Sequence, residues 1–254
     1  MIALKTIKSI DKALVILEEI KKNKDISLAE ISKNLNINKT TAYHILCSLE
    51  QAKYIRKNNG TYKYELGIKL MELGIAFSEQ LDFIKEVMPY LQYIVDKYSE
   101  TVHLAVMDED QVFYVDKIEG TKSINIRSNK GKKLPLHCTG VGKVLLAFQP
   151  EATIKRIIDE QNLTRYTDNT IVNPQELNYE LSKIRNSGYA IDDEEIETGL
   201  LCVAGPIFNY TGQVVSAISI SAPKIRINTQ TLKVYIHEIR QACDKISAAL
   251  GYNK

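Results

Sequence analysis

Residues 27–51 leave the backbone few alternatives. Ser27-Leu28-Ala29-Glu30 is a reciprocal helix-starting pattern, in which the Ser27 hydroxyl accepts from the Glu30 amide and Glu30 reaches back to the Ser27 N–H. Leu28, Ile31 and Leu35 give this short helix a buried face. Asn36 follows, a residue that tolerates the left-handed conformation closing a helix. Ile37 is placed to pack into the turn, and Asn38 can cap a new helix. From Lys39 to about Gln51, Ala42, Ile45, Leu46 and Leu49 fall at i, i+3, i+4 and i+7, so one face packs inward. The opposite face carries Lys39, Thr40, Thr41, Tyr43 and His44 near its start. Donors, small hydroxyls and an aromatic at that place suit contact with base edges and phosphates. Cys47 is expected near the edge of the buried face, as a structural thiol.

The flanking segments extend the pattern. Ile7 to Lys22 reads as a helix with Ile10, Ala13, Leu14, Leu17 and Ile20 as its apolar stripe. After the third helix, Tyr54–Lys57 and Thr61–Glu65 flank Asn58-Asn59-Gly60, a hairpin signal. A hairpin directly after two such helices is a wing, and Arg56, Lys57 and Lys63 would place cations beside a DNA backbone or minor groove. Charge agrees: residues 1–66 carry twelve Lys and Arg against seven Asp and Glu, whereas residues 67–254 carry 21 against 24. A basic end on a mildly acidic body suits a phosphate-binding module joined to one that is not. Chance variation of surface charge, or a winged helix that contacts only protein, would account for each piece taken singly.

Length and composition exclude other classes. At 254 residues with 44% apolar and 25% charged residues, the chain is of ordinary globular composition and allows one or two domains. No apolar run approaches the roughly 18 to 20 residues that span a bilayer, and residues 1–6 lack the order of a signal peptide. A cytoplasmic protein without a membrane partner is expected. Cys47, Cys138, Cys202 and Cys243 form no CxxC pair, so reduced thiols are expected, and no cofactor is implied.

Beyond the wing, residues 67–80 read as a linker helix, with Leu70, Met71, Leu73 and Gly74 facing inward or toward a second subunit. Asp82 to about Lys97 is a further helix in which Pro89 predicts a kink or break. From Thr101 the period changes to two: Val102, Leu104 and Val106, a polar turn at 108–111, then Val112–Val115 form a hairpin. A third strand is expected over Ser123–Arg127. Helices are expected at Gly140–Phe148, Glu151–Gln161, Pro174–Ser187 and Thr229–Leu250, and strands at Tyr189–Ile191, Leu200–Phe208 and Val214–Ile220. This mixture predicts an α/β or α+β domain over residues 81–254, its sheet covered by helices.

Five segments, in this order, resemble the IclR family of bacterial transcriptional regulators over nearly the whole chain. They are Ile10–Glu18; Asn38–Leu46; Glu100–Val106 with Tyr114–Ile118; Leu134-Pro135-Leu136-His137-Cys138-Thr139-Gly140-Val141-Gly142-Lys143; and Gly188–Glu195, continuing through Gly199, Cys202 and Ala204–Ile207 to Ser219, Ser221 and Pro223. The resemblance implies an N-terminal winged helix-turn-helix over residues 1–66 that binds double-stranded operator DNA and a C-terminal GAF-like sensor domain. It also implies a homodimer or homotetramer and control of small-molecule catabolism. Many members have Arg where His44 stands and Gly where Lys53 stands, which leaves the operator sequence open.

The same resemblance places effector contacts at Gly140 and Val141. Backbone amides at a helix start lie at its positive dipole end and favour a carboxylate; by itself, such a glycine-rich turn serves tight packing equally well. Asp192, Cys202, Ser219 and Ser221 match family positions lining the same pocket, and Leu200 would add an apolar wall. Ser219 and Ser221 lie two apart on a strand and so share a face. Without the family, the two serines read as a solvent-facing strand edge and Asp192 as a loop cap in an acidic run. A carboxylate receptor with hydroxyl partners suits a small oxo-, hydroxy- or sugar-acid effector. The rival readings are a GAF-like cysteine-dependent enzyme and a metal-binding sensor, both drawing on His137, Cys138, Asp192 and Cys202. Thiol chemistry requires a base within hydrogen-bond reach, and no ligand spacing marks a metal.

Overall fold

A computed structural model describes residues 6–80, 82–123, 128–160 and 163–253. The chain divides into two compact units, one ending at Asp82 and the other starting at Phe83.

The first unit holds α1 (Lys8–Lys22), α2 (Leu28–Asn34), α3 (Lys39–Gln51), β1 (Ile55–Lys57), β2 (Tyr64–Leu66) and α4 (Ile68–Gln80). The local chemistry of residues 27–38 forms as the sequence requires. The Ser27 N–H donates to Glu30 Oε2 at 2.8 Å, and Ser27 Oγ accepts from the Glu30 amide at 3.3 Å. Asn36 takes a φ of 50°. Ser32 Oγ donates to the Ile37 carbonyl at 2.7 Å, and Asn38 Oδ1 accepts from the Thr40 amide at 2.9 Å. A core of Ile16, Ile20, Ile26, Ile31, Ile37, Ala42, Leu46, Ile55 and Tyr64 closes behind the turn.

The inward stripe of α1 differs from the expected one. Ile10 and Leu14 are 53% and 57% exposed, while Ile16 and Ile20 are buried. Residues 13, 16, 17 and 20 form an equally regular helical face, and the core is deep enough to cover only the later turns. The strands of the wing are shorter than the alternating runs, because the connection spans 58–63: Asn58 Oδ1 accepts from the Gly60 and Thr61 amides, and Tyr62 has a φ of 57°. Along α4, Ile68, Met71, Leu73 and Ile75 are all exposed.

The second unit contains α5 (Asp82–Tyr98), β3 (Thr101–Asp108), β4 (Gln111–Ile118), β5 (Lys133–Pro135), α6 (Gly140–Ala147), α7 (Glu151–Glu160), α8 (Pro174–Ser187), β6 (Ala190–Asp193), β7 (Leu200–Phe208), β8 (Val214–Pro223) and α9 (Thr229–Ala249). The strands form one antiparallel sheet in the order β5-β4-β3-β8-β7-β6. Helix α6 packs on one face with α8, and every one of its residues is buried. Helix α9 covers the other face, where a Cβ on Gly205 would meet Cys243 Sγ at 2.7 Å. Covered on both sides, β7 is buried from Leu200 to Ile207.

Helix α5 does not break at Pro89; the ring removes one N–H, and burial of Ile84, Val87, Leu91, Ile94 and Val95 along one face holds the two halves together. The strand expected over Ser123–Arg127 lies, apart from Ser123, outside the described residues. An unexpected strand, β5, pairs on the sheet edge with Pro135 opposite Gln111, a place where the missing proline N–H costs no ladder bond. Among the described residues, no helix is long and apolar enough to cross a membrane.

Candidate functional site

On α3, Lys39, Thr40, Tyr43 and His44 are exposed and Thr41 is half-buried, so the polar face stands free of the protein core. The Tyr43 and His44 rings meet edge to face, with centroids 5.8 Å apart. Cys47 is exposed rather than at a buried edge; one helical turn beyond Tyr43, it sits on the outward side. On the wing, Arg56 donates from Nε and Nη2 to Glu65 Oε2 at 3.0 and 2.5 Å, so its charge is already compensated across the hairpin. The Lys57 ammonium lies 5.3 Å from the Tyr62 ring centroid and 5.6 Å from that of Tyr64. Lys63 is half-buried, and Tyr62, which sequence reasoning passed over, is 69% exposed on the turn.

In the second unit, strand register gathers residues far apart in sequence. Asp192 on β6 pairs with Cys202 on β7, and Cys202 with Ser221 on β8. Ala204 pairs with Ser219, and Ser219 with His103 on β3. Helix α6 begins above this row. Thr139 caps it, its Oγ1 accepting from the Gly142 amide at 3.1 Å and donating to the Pro135 carbonyl at 3.0 Å. The Gly140 and Val141 amides precede any intrahelical partner. A Cβ on Gly142 would stand 2.4 Å from Thr139 Oγ1 and 2.5 Å from the Leu136 carbonyl, so glycine is required for the cap. A Cβ on Gly140 would meet Ala204, Cys202 and Asp192 Cβ atoms at 3.3, 3.6 and 3.8 Å, so the helix start lies directly against the Asp192–Cys202 row.

Gly140, Val141, Asp192, Leu200, Cys202, Ser219 and Ser221 all border one cavity of about 40 Å³. The serines are buried within the sheet, not on a solvent-facing edge. The cavity wall also includes His103, Tyr114, Ser128, Lys132 and Thr139. His103 and Tyr114 were passed over because only the β3–β4–β8 pairing brings them here. Their rings stack with centroids 4.6 Å apart. His103 Nδ1 is 3.2 Å from Ser221 Oγ, and its Nε2 is 2.7 Å from Ser128 Oγ. Burial, with Lys117 and Lys132 nearby, pushes the His103 imidazole down to about 3, so it is neutral and one ring nitrogen accepts.

Asp192 is 1% exposed. Its Oδ1 accepts from the Glu195 amide at 2.8 Å, while its Oδ2 has no partner. Burial pushes its carboxyl up to about 7. Behind it, the buried Lys143 ammonium pairs with Glu195 and donates to the Ile191 carbonyl at 2.7 Å. The Glu195 carbonyl accepts from Thr170 Oγ1 at 2.6 Å and the Glu194 carbonyl from Thr167 Oγ1 at 2.5 Å, which pins the loop after β6.

The arrangement suits binding rather than nucleophilic chemistry. Burial pushes the Cys138 thiol up to about 12 and holds the Cys202 thiol well above its ordinary value, so neither supplies a thiolate near neutrality. His137 is buried and directed at the Thr164 carbonyl, 3.0 Å from Nε2. Among the described residues, no three of His, Cys, Asp and Glu lie close enough to hold a metal ion.

Comparison with known proteins agrees with the division seen in the coordinates. Residues 9–59 match the model of the IclR helix-turn-helix domain, and residues 76–248 that of the bacterial transcriptional regulator IclR C-terminal domain. The chain is 32% identical over 248 residues to the HTH-type transcriptional regulator KdgR of Escherichia coli, covering 98% of this chain and 94% of that one. It is 32% identical over 247 residues to the regulator XynR of the same organism, with 97% and 98% covered. The crystal structure of the Thermotoga maritima IclR protein superposes with a TM-score of 0.81 at 35% identity, over 96% of this chain and 99% of that one. These relatives are named as transcriptional regulators, not as enzymes.

Proposed function

The chain belongs to the IclR family of bacterial transcriptional regulators and binds DNA through its helix-turn-helix, and from that premise we propose that it is a repressor whose hold on operator DNA is modulated by a small oxo-, hydroxy- or sugar acid. In this reading residues 1–66 bind DNA, 67–80 link and 81–254 sense. Lys39, Lys57 and Lys63 supply salt-dependent attraction to phosphates, joined by Arg56 when Glu65 releases it. Thr40, Thr41, Tyr43 and His44 meet base edges in the major groove.

The observation that carries the effector half is the pairing, in one cavity, of the unpartnered Asp192 Oδ2 with the start of α6. Helix-start amides attract a carboxylate, and Ser219, Ser221 and Asp192 offer partners to oxo or hydroxyl oxygens. The polar side chains on the cavity wall, His103, Ser128, Asp192, Ser219 and Ser221 among them, favour a polar acid over a lipid ligand. The exposed apolar residues of α1 and α4, among them Ile10, Leu14, Met71 and Ile75, favour self-association into a dimer or tetramer that spans two half-sites. Effector then acts by linkage: it shifts DNA affinity by as much as its own affinity differs between the DNA-competent and incompetent states.

A mobility-shift titration with the DNA upstream of the chain's own gene, repeated with a panel of such acids, tests this. Retarded DNA released by at least one acid is the expected result. DNA binding that no acid alters, with calorimetric binding only of aromatics or lipids, would reject the effector half.

A further inference from the structure

We propose that an acid effector enters the pocket together with a proton, and that Asp192 is the group that receives it. The inference rests on the acid-effector reading above and goes beyond it by assigning a state of charge to the site. Its basis is geometric. The α6 start that would hold a ligand carboxylate lies against Asp192, the hypothetical Gly140 Cβ standing 3.8 Å from Asp192 Cβ. A ligand carboxylate held at that helix start would share the buried cavity with the Asp192 carboxylate, and two carboxylates in one buried site repel one another strongly. Asp192 Oδ1 is held by the Glu195 amide, and Oδ2 is buried without a partner. Protonated at Oδ2, Asp192 becomes a donor at the cavity wall; ionised, it opposes the ligand.

The groups around Asp192 relieve that conflict only in part: the Lys143 ammonium and the backbone amides of Glu195 and Ile196 favour its ionised form, but burial outweighs them. Across the strand pair stands Cys202, and in the segment before α6 stands Cys138, both thiols held protonated by burial. From α6 comes Lys143, whose ammonium is already bound to Glu195 and the Ile191 carbonyl. The loop after β6 contributes Glu195, whose carboxylate disfavours ionisation of Asp192 although Lys143 pairs with it, and the exposed Glu197 at the cavity wall. From β3 and β4 come His103, neutral, and Tyr114, whose phenol burial keeps protonated. Lys132 stands exposed at the cavity wall. The added proton comes from solvent, and no bond other than the new O–H is made.

Calorimetry on the full chain with pyruvate, lactate and gluconate as probes, in phosphate and in Tris, measures the protons taken up per ligand from about pH 6 to about pH 8. Uptake approaching one proton at the alkaline end is expected, with affinity falling about tenfold per pH unit above neutrality. In Asp192→Asn, whose amide donates permanently and still accepts from the Glu195 N–H, the profile becomes flat. Infrared difference spectra should show the carbonyl band of a protonated carboxyl growing when probe is added to the wild-type chain, and not when it is added to the variant. Acids that bind without proton uptake, or more tightly as pH rises, overturn this inference alone; uptake that persists in the variant removes Asp192 from it. If no probe binds either chain at any pH, the acid-effector reading falls and takes this inference with it.

Discussion

Lys143 and Glu195 form an ion pair with side chains only 1% and 8% exposed, joining the middle of α6 to the loop after β6. Removing one partner strands the other charge in a dry site. Lys143→Met is therefore expected to lower unfolding free energy by about 3–5 kcal/mol, read from urea denaturation. Lys143→Met/Glu195→Leu, which removes both charges, should recover most of that loss. A single variant as stable as the wild type would show that the pair is not desolvated.

Asp192 ties stability to pH with a definite sign. Burial pushes its folded value up to about 7, above the ordinary aspartate value of about 3.9, so the unfolded chain releases the proton first. The unliganded fold therefore loses stability at this residue as pH rises from about 4 through about 7. Relative to wild type, Asp192→Asn should gain about 2–4 kcal/mol at about pH 8 and nothing near pH 4. A stability difference that does not vary with pH would contradict the assignment.

Gly140 and Gly142 should fail differently when replaced by alanine. At Gly142 the new Cβ would stand within 2.5 Å of Thr139 Oγ1 and the Leu136 carbonyl, which breaks the cap; a loss of about 2 kcal/mol or more is expected. At Gly140 the nearest atom would be 3.3 Å away, so thermal stability should change by less than about 1 kcal/mol while effector affinity drops about tenfold or more. Melting curves and calorimetry on the two variants separate the outcomes.

The wing predicts a gain of function. Glu65→Gln frees Arg56 from its hairpin partner, so affinity for any duplex should rise and the salt slope should steepen by about one unit. Thr40→Ala/His44→Ala should weaken operator binding more than random-sequence binding. Gel shifts at several salt concentrations check both; equal losses on the two DNAs would take Thr40 and His44 out of the base readout.

Self-association should depend on the exposed apolar residues of the first unit. Leu14→Glu and Met71→Glu replace side chains that are 57% and 62% exposed, so each should leave the fold intact, within about 0.5 kcal/mol. Sedimentation velocity is expected to show a smaller species for at least one of them.

Much of this was legible because local chemistry decided it. Ser27, Glu30, Asn36 and Asn38 each act within a few residues, and their bonds form as their types require. The edge strand that Pro135 joins was not anticipated. What stayed hidden depends on long-range pairing. The stripe of α1 could not be chosen between two regular faces until α2, α3 and the wing showed which one they cover. His103 and Tyr114 reach the cavity because β3 lies between β4 and β8, a choice made by residues more than a hundred positions away. Cys47 illustrates the same limit on a smaller scale: one position along a helix, about 100°, separates Leu46 in the core from a thiol in solvent.

All eight residues of α6 are buried, and this bears on how the proposed effector site could act. A loop at the surface would absorb a small displacement by bending. A close-packed rod has little such slack, so an effector seated at Gly140, as proposed, would press toward Ala147, whose carbonyl accepts from the Arg185 guanidinium at the end of α8. On that reading, recognition at one end of the helix would be felt as strain at the other.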